Sequence, residues 1–247
     1  LASIFESLIL KGANKIIVNN QGTKEFYQKR YGDWIDRKLL MIYNLTFPEP
    51  YQKLQTPYLP KPPYRIVFTG RINWPQLGSI KNLITAIEGI HDIDILFELY
   101  CPMPPKHLER LGIRESQKIK ISSASPLETP KIQSKADILF LPLAWDTKSQ
   151  QIVDTATPAK MVDYLISGRP ILVHAPSSTY LVKYTRENDF GAIVDDKSIT
   201  KLQDSIKKIL MDEQYAKHLI KNAQDTFYRN HSPEKNIEVF RSIMFSN

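Results

Sequence analysis

Residues 156–176, ATPAKMVDYLISGRPILVHAP, carry a loop, a short helix, a tight turn and a buried strand in one run. Thr157 has the side-chain oxygen that caps a helix start, and Pro158 suits the first helical position, where a missing N–H costs nothing. Met161, Tyr164 and Leu165 recur at three- and four-residue spacing, with Val162 and Ile166 beside them, and mark one helix face. Gly168 reads as the glycine that ends the helix, and Pro170 bars its continuation. Ile171, Leu172 and Val173 then form the short apolar run of a strand covered on both faces. The start of such a helix leaves N–H groups unpaired at its positive end. Lys160 would add a full charge there, and Asp163, one turn on, could accept hydrogen bonds from two neighbouring hydroxyls, as on a ribose. Many helices with a Thr-Pro start and an early lysine bind nothing, so the surrounding chain has to decide.

Upstream, the same alternation repeats. Arg65–Thr69, Asp94–Tyr100, Lys118–Ser122 and Asp137–Leu141 read as strands, each followed by a helix or a loop and helix. The first of these helices is expected from about Ser79 to Gly89, after a loop with Trp74, Pro75 and Gly78. Short helices are expected at Pro104–Leu111 and Pro126–Ser134. Downstream follow a helix at Tyr180–Glu187, a strand at Gly191–Val194, and helices at Ile199–Met211, Glu213–Arg229 and about Pro233–Ile243. This pattern predicts an α/β fold, a Rossmann-like doubly wound parallel sheet with helices on both faces. In such sheets ligands bind beyond the carboxyl ends of the strands. That rule gathers Gly70-Arg71, Ser122-Ser123, Pro142–Asp146 and Thr157–Asp163 on one rim.

Residues 1–45 add only α-β-α-β: a helix to about Gly12, strands at Lys15–Asn19 and Leu39–Tyr43, and a helix at Thr23–Tyr31 between them. They read as the remnant of a first domain. Residues 46–63 hold Pro48, Pro50, Pro57, Pro60, Pro62 and Pro63 without periodicity, and are expected to be an extended linker. Residues 64–247 form the second domain.

The chain of 247 residues is 42% hydrophobic, has a net charge of +7, and contains no apolar run long enough to span a bilayer. Its single Cys101 excludes an internal disulfide framework and suits a reducing compartment. The basic balance favours anionic partners. The cations are scattered, however, and neither RNP-like aromatics nor zinc-finger spacings occur, so no nucleic-acid partner is expected. His91, His107, His218 and His231 have no companions at ligand spacing and are left as surface, while His174 is expected to be a structural residue of the rim.

From Arg65 onward the order of signals resembles the C-terminal, nucleotide-sugar-binding domain of GT-B glycosyltransferases, nearest the retaining family 4 group. The pieces that carry the resemblance are Val67-Phe68-Thr69-Gly70-Arg71, the strand Ala136–Leu143, the run Thr157–Pro170, and Gly191-Ala192-Ile193-Val194-Asp195 followed by helices. Residues 1–44 resemble the close of that family's acceptor-binding domain. The resemblance implies that Gly70 lets the backbone approach a nucleotide-diphosphate sugar and that Arg71 faces its diphosphate. It implies that amides around Pro158, Ala159 and Lys160 hold the distal phosphate, Ser122 and Ser123 lie near the base, and Asp163 holds the ribose. Asp163 stands where the family has the second of two glutamates eight residues apart. Thr155 stands at the first, a departure, with Asp154 beside it. The family's second diphosphate cation is a lysine, for which Lys81 is the nearest match.

By this resemblance the chain is expected to carry the donor half of a retaining hexosyltransferase, with Arg71 and Lys160 catalytic through leaving-group stabilisation. No metal and no cofactor is expected beyond the donor substrate. The acceptor is unidentified: glycan, lipid or small molecule. The expected location is cytoplasmic, with peripheral contact to an anionic membrane left open for the full-length protein; the piece alone is expected to be inactive. Two other classes compete. A nicotinamide-dependent oxidoreductase would need a G-x-G-x-x-G after the first strand of the sheet, which Gly70-Arg71-Ile72-Asn73-Trp74 does not supply. A degenerate, non-catalytic nucleotide-binding module is suggested by Thr155 and Asp163 in place of glutamates.

Overall fold

The computed structural model describes residues 2–145, 147 and 149–245; Asp146, the last residue of the predicted rim segment 142–146, lies outside the described residues. Eight strands are described among them: β1 (Ile16–Val18), β2 (Leu39–Met41), β3 (Tyr64–Thr69), β4 (Ile95–Tyr100), β5 (Ile119–Ser122), β6 (Ile138–Pro142), β7 (Ile171–His174) and β8 (Gly191–Val194). β1 and β2 pair in parallel as a separate two-stranded sheet. The other six form one all-parallel sheet in the order β5-β4-β3-β6-β7-β8. The chain winds outward from β3 in one direction, returns, and winds outward from β6 in the other. The fold is therefore the doubly wound α/β class, and its crevice opens beyond the ends of β3 and β6, where the winding reverses.

The central strands are apolar on both faces because helices cover both. Ile66 and Phe68 of β3 join a core that includes Leu83 and Ile87 of helix Trp74–Glu88 and Ile206 of helix Ile199–Met211. Val67 points to the other core, with Leu165 of helix Lys160–Ile166 and Leu181 of helix Tyr180–Asn188. This side-to-side alternation of wholly buried residues gives the continuous hydrophobic run from which a doubly covered strand was expected. No helix among the described residues is long and apolar enough to cross a membrane.

Several elements differ from the sequence reading. The expected loop at residues 74–78 is the first turn and a half of helix Trp74–Glu88. Asn73 caps it, Gln76 reaches back to the Asn73 N–H, and Pro75 occupies the first turn; this capping box outweighs the local turn signals of Pro75 and Gly78. The linker is not wholly extended, because Glu49–Gln52 forms a helical turn. Helix Gln150–Asp154 had no sequence signal assigned to it. The expected helix to Arg229 ends at Thr226 and passes into a π-helical turn, Phe227–His231.

That turn corrects the reading of His231 as surface. It is fully buried, its Nδ1 lies 2.7 Å from the Asn44 carbonyl oxygen, and its Nε2 lies 3.0 Å from the Tyr184 hydroxyl. Nδ1–H therefore donates to Asn44 and Nε2 accepts from Tyr184, so the ring is neutral, as burial also favours. Arg169 anchors the linker further on. Its buried guanidinium donates to the Ser134 carbonyl at 2.7 Å, the Thr56 carbonyl at 3.1 Å and the Thr56 hydroxyl at 2.7 Å. Arg169→Met would leave the buried Ser134 carbonyl without its donor and untie Thr56 of the linker. We expect it to lower the unfolding free energy by about 3 kcal/mol, measured by urea denaturation.

Candidate functional site

The end of β3 is fixed from two sides. The Thr69 N–H donates to the Tyr164 hydroxyl at 3.1 Å, and the Thr69 hydroxyl accepts from Gln133 at 2.9 Å. The next residue, Gly70, has φ +116°, outside the range of ordinary side chains. A Cβ there would also stand 3.3 Å from Cε and 3.4 Å from Nζ of Lys160. The backbone conformation requires glycine here, and its lack of a side chain lets the lysine tip lie close against it.

Lys160 reaches back from the start of its helix to the reversal point of the sheet. Its Nζ lies 3.8 Å from the centroid of the Phe68 ring, close enough for a cation–π contact. Among the described residues no carboxylate forms an ion pair with it and no acceptor takes its hydrogen bonds. Burial disfavours the charged form and pulls its pKa down to about 7. An anion arriving beside Nζ would restore the proton, so the lysine is poised to gain charge on ligand binding.

The helix begins later than the sequence suggested. It runs Lys160–Ile166 with Ala159 at the cap position, not from Thr157 and Pro158. The Met161 and Val162 N–H groups donate to Pro158 and Ala159, while those of Ala159 and Lys160 have no acceptor among the described residues. Thr157 lies two residues before the cap position, and its hydroxyl oxygen accepts from a distant residue instead. Asn20, 137 positions earlier and buried, donates from Nδ2 to Thr157 Oγ1 at 2.8 Å and to the Thr155 carbonyl at 3.0 Å. Asn20 thereby ties the two-stranded sheet to the loop that presents Lys160.

Gly70 and Asp163 line one hollow of about 560 Å³. Tyr100 at the end of β4 and Pro102 just after it line the same hollow, with Ala124 and Pro126 after β5 and Phe47 and Tyr51 of the linker. Apolar walls with a single carboxylate suit a flat, weakly polar group carrying hydroxyls. Burial raises the Asp163 pKa, and hydrogen bonds from the Thr46 and Tyr51 hydroxyls pull it back. Neither linker residue was foreseen; the only signal was two hydroxyl-bearing residues in a stretch otherwise read as connector.

The remaining predicted residues are dispersed. Arg71 is exposed, makes no ion pair or hydrogen bond among the described residues, and lines a neighbouring hollow with Asn73, Trp74 and His107. Lys81 lies within helix Trp74–Glu88, its Nζ 3.4 Å from where a Cβ on Gly112 would stand, and lines neither hollow. Ser122 and Ser123 are exposed at the end of β5, beside but not lining the hollow that begins at Ala124. Thr155 and Asp154 line a separate 550 Å³ hollow against Gln21 and Gly22 of the first helices. His174 is buried, with Nδ1 3.1 Å from the Val194 carbonyl oxygen and Nε2 3.2 Å from the Asn82 amide; Trp145 packs on its ring at 4.7 Å.

No protein-family model matches the chain, and no curated protein matches it in sequence. Solved structures do match. Sucrose-phosphate synthase (tll1590) from Thermosynechococcus elongatus aligns with TM-score 0.70 and 14% identity over 99% of this chain and 62% of that one. A glycosyltransferase from Rickettsia africae ESF-5 aligns with TM-score 0.72 and 14% identity over 99% and 67%. Anabaena Alr3699/HepE, solved in complex with UDP, aligns with TM-score 0.72 and 14% identity over 98% and 66%. At this identity the shared property is the fold, and it is the fold of the GT-B glycosyltransferases. The chain spans 62% of the length of the synthase.

The half-buried lysine makes a pH prediction. Between about 7, its value in the fold, and about 10.4, its value in the unfolded chain, the unfolded state holds more protons. Its contribution to stability therefore rises with pH across that window, and below pH 7 its full penalty is present. Lys160→Met is expected to be more stable than the parent at pH 6, with the gap closing by pH 10, measured by denaturant unfolding. A gap that does not change with pH would contradict burial of the charged form.

Proposed function

We propose that this chain carries the donor-binding half of a retaining GT-B glycosyltransferase, acting on a nucleotide-diphosphate sugar. The observation that carries the reading is the Lys160 ammonium, without a counter-ion among the described residues, laid against Gly70 where the sheet reverses. In this reading Lys160 and the N–H groups of Ala159 and Lys160 hold the distal phosphate, and Asp163 holds the ribose. The base lies between Phe47 and the segments after β4 and β5. Arg71, one residue past Gly70 and without a partner of its own among the described residues, swings in as the second diphosphate cation; Lys81 has no part in the site. Ser122 and Ser123 shape the base-side rim, and Thr155 and Thr157 set the loop that presents Lys160. The fold shared with an Anabaena protein solved in complex with UDP supports a nucleotide in this crevice.

The chemistry follows from charge. The bond between the anomeric carbon and the diphosphate oxygen breaks, and negative charge grows on that oxygen as the sugar approaches an oxocarbenium ion. The acceptor oxygen bonds to the anomeric carbon on the same face and passes its proton to an oxygen of the departing diphosphate. Lys160, Arg71 and the two amides stabilise the departing charge from fixed positions at the edge of a low-dielectric core, which is commonly the largest catalytic term. We propose that these groups supply the stabilisation without a metal, and that the reaction takes place in the cytoplasm, where the free thiol of Cys101 stays reduced.

Titration calorimetry with UDP and GDP tests the site. One of the two is expected to bind the parent. Lys160→Ala and Arg71→Ala are each expected to weaken binding about 10- to 100-fold, the range for a lost hydrogen bond to a charged group. Binding of NAD in place of both nucleotides, or parent-like affinity in Lys160→Ala, would contradict the reading.

A further inference from the structure

Thr69, Tyr100 and Thr129 are the hydroxyl-bearing residues that β3, β4 and helix Thr129–Gln133 contribute to the hollow lined by Gly70 and Asp163. Two of them spend their protons inside the protein. Tyr100 donates to the Glu98 carboxylate at 3.4 Å, and Thr129 donates to the Ser125 carbonyl at 3.1 Å. Thr69 differs. Its oxygen accepts from the Gln133 amide at 2.9 Å and lies 3.4 Å from the Tyr164 hydroxyl. Tyr164 is fully buried and its oxygen already accepts the Thr69 N–H, so its own proton has only the Thr69 oxygen to go to among the described residues. The Thr69 oxygen thus accepts twice from the protein, while its own proton meets no acceptor among the described residues. Gln133 holds this arrangement at a cost: its amide nitrogen faces Thr69, and its carbonyl oxygen, equally buried, has no donor among the described residues. With both lone pairs taken, Thr69 can only donate toward the hollow.

We propose that Thr69 is a specificity-determining residue for the base of the bound nucleotide: its hydroxyl donates to a carbonyl oxygen on the ring edge and so selects uracil or guanine over cytosine or adenine. This rests on the donor-site reading above and deepens it. In that reading Lys160 and the amides at the start of its helix take the phosphates, which leaves the ring for the hollow. Pro102, Ala124, Pro126 and Pro130 give the hollow apolar walls that suit a flat group. Uracil carries an oxygen where cytosine carries an amino group, and guanine an oxygen where adenine carries one. An amino group at that place would set one donor against another. The Thr69 oxygen cannot turn to accept from it, because Gln133 and Tyr164 already fill its lone pairs. Gln133 is therefore a positioning residue, acting on the base through the direction in which it leaves the Thr69 proton.

The test is calorimetry on the whole chain with UDP against CDP and with GDP against ADP. The parent is expected to prefer the carbonyl-bearing base of one pair about 10- to 100-fold. Thr69→Val keeps the shape and removes the proton, and the preference should fall to a few-fold through weaker binding of the carbonyl-bearing base. Thr69→Ser should keep it. Gln133→Met frees a lone pair on Thr69, and should narrow the preference from the other side, by tighter binding of the amino-bearing base. A role confined to folding would weaken both members of a pair alike and leave the ratio untouched. The proposal is overturned if the parent binds CDP or ADP as tightly as UDP or GDP, or if Thr69→Val keeps the parent's ratio. If Thr69→Val does not fold, Gln133→Met decides by the same ratio. Failure of the parent to bind any of the four would instead overturn the donor-site reading, and this inference with it.

Discussion

A lysine ammonium at the edge of an apolar core is held by a ring face and a glycine, with no counter-ion among the described residues. Lys160 over Phe68 and against Gly70 is the contact on which the rest of the site depends. Removing an ammonium from water is costly, and burial accordingly pulls the lysine's pKa down to about 7. The same low dielectric makes the lysine strong toward an anion that shares its enclosure. Surface cations such as Lys201, paired with Asp196 in solvent, are not set up this way.

That arrangement needs rigidity from several directions. Tyr164, one turn beyond Lys160, holds the Thr69 amide, so a single helix positions both the lysine and the strand end it lies against. Asn20 holds the loop before the helix from a different sheet. Arg169, just past the helix, holds the linker that faces Asp163. The two-stranded sheet therefore braces the loop before Lys160 through Asn20, while the hollow itself is lined by the linker and the doubly wound sheet. Movement of the first relative to the last would be felt at Lys160 through Asn20.

What could be read from the sequence was what depends on near neighbours. The runs Ile171–Val173 and Arg65–Thr69 are β-branched and apolar, so their burial and strand form follow from local pattern, and helix alternation makes the sheet parallel. Gly70, Lys160 and Asp163 were legible as a group because a strand end and a helix start share one rim in such a sheet. What was not legible depends on residues far apart in the chain. Thr157 has every local feature of a cap, yet its oxygen belongs to Asn20. His231 lies in a polar stretch and is buried because a π-helical turn carries it against Tyr184 and Asn44. The prolines of the linker hid both the helical turn Glu49–Gln52 and the fact that Thr46 and Tyr51 line a hollow with a carboxylate more than a hundred residues away. Lys81 was matched only as the nearest lysine after Arg71, and it lies within a helix that the capping box at Asn73 starts as early as Trp74.

The central claim is that the anion partner of Lys160 is a ligand and not another side chain. Its most direct test is the number of protons taken up when UDP or GDP binds at pH 8, obtained by calorimetry in two buffers of different ionisation enthalpy. With a pKa of about 7, Lys160 is mostly neutral at pH 8 and takes up a proton to face a diphosphate. The account predicts uptake of nearly one proton by the parent and none by Lys160→Ala. Binding without proton uptake, or equal uptake by the variant, would contradict it.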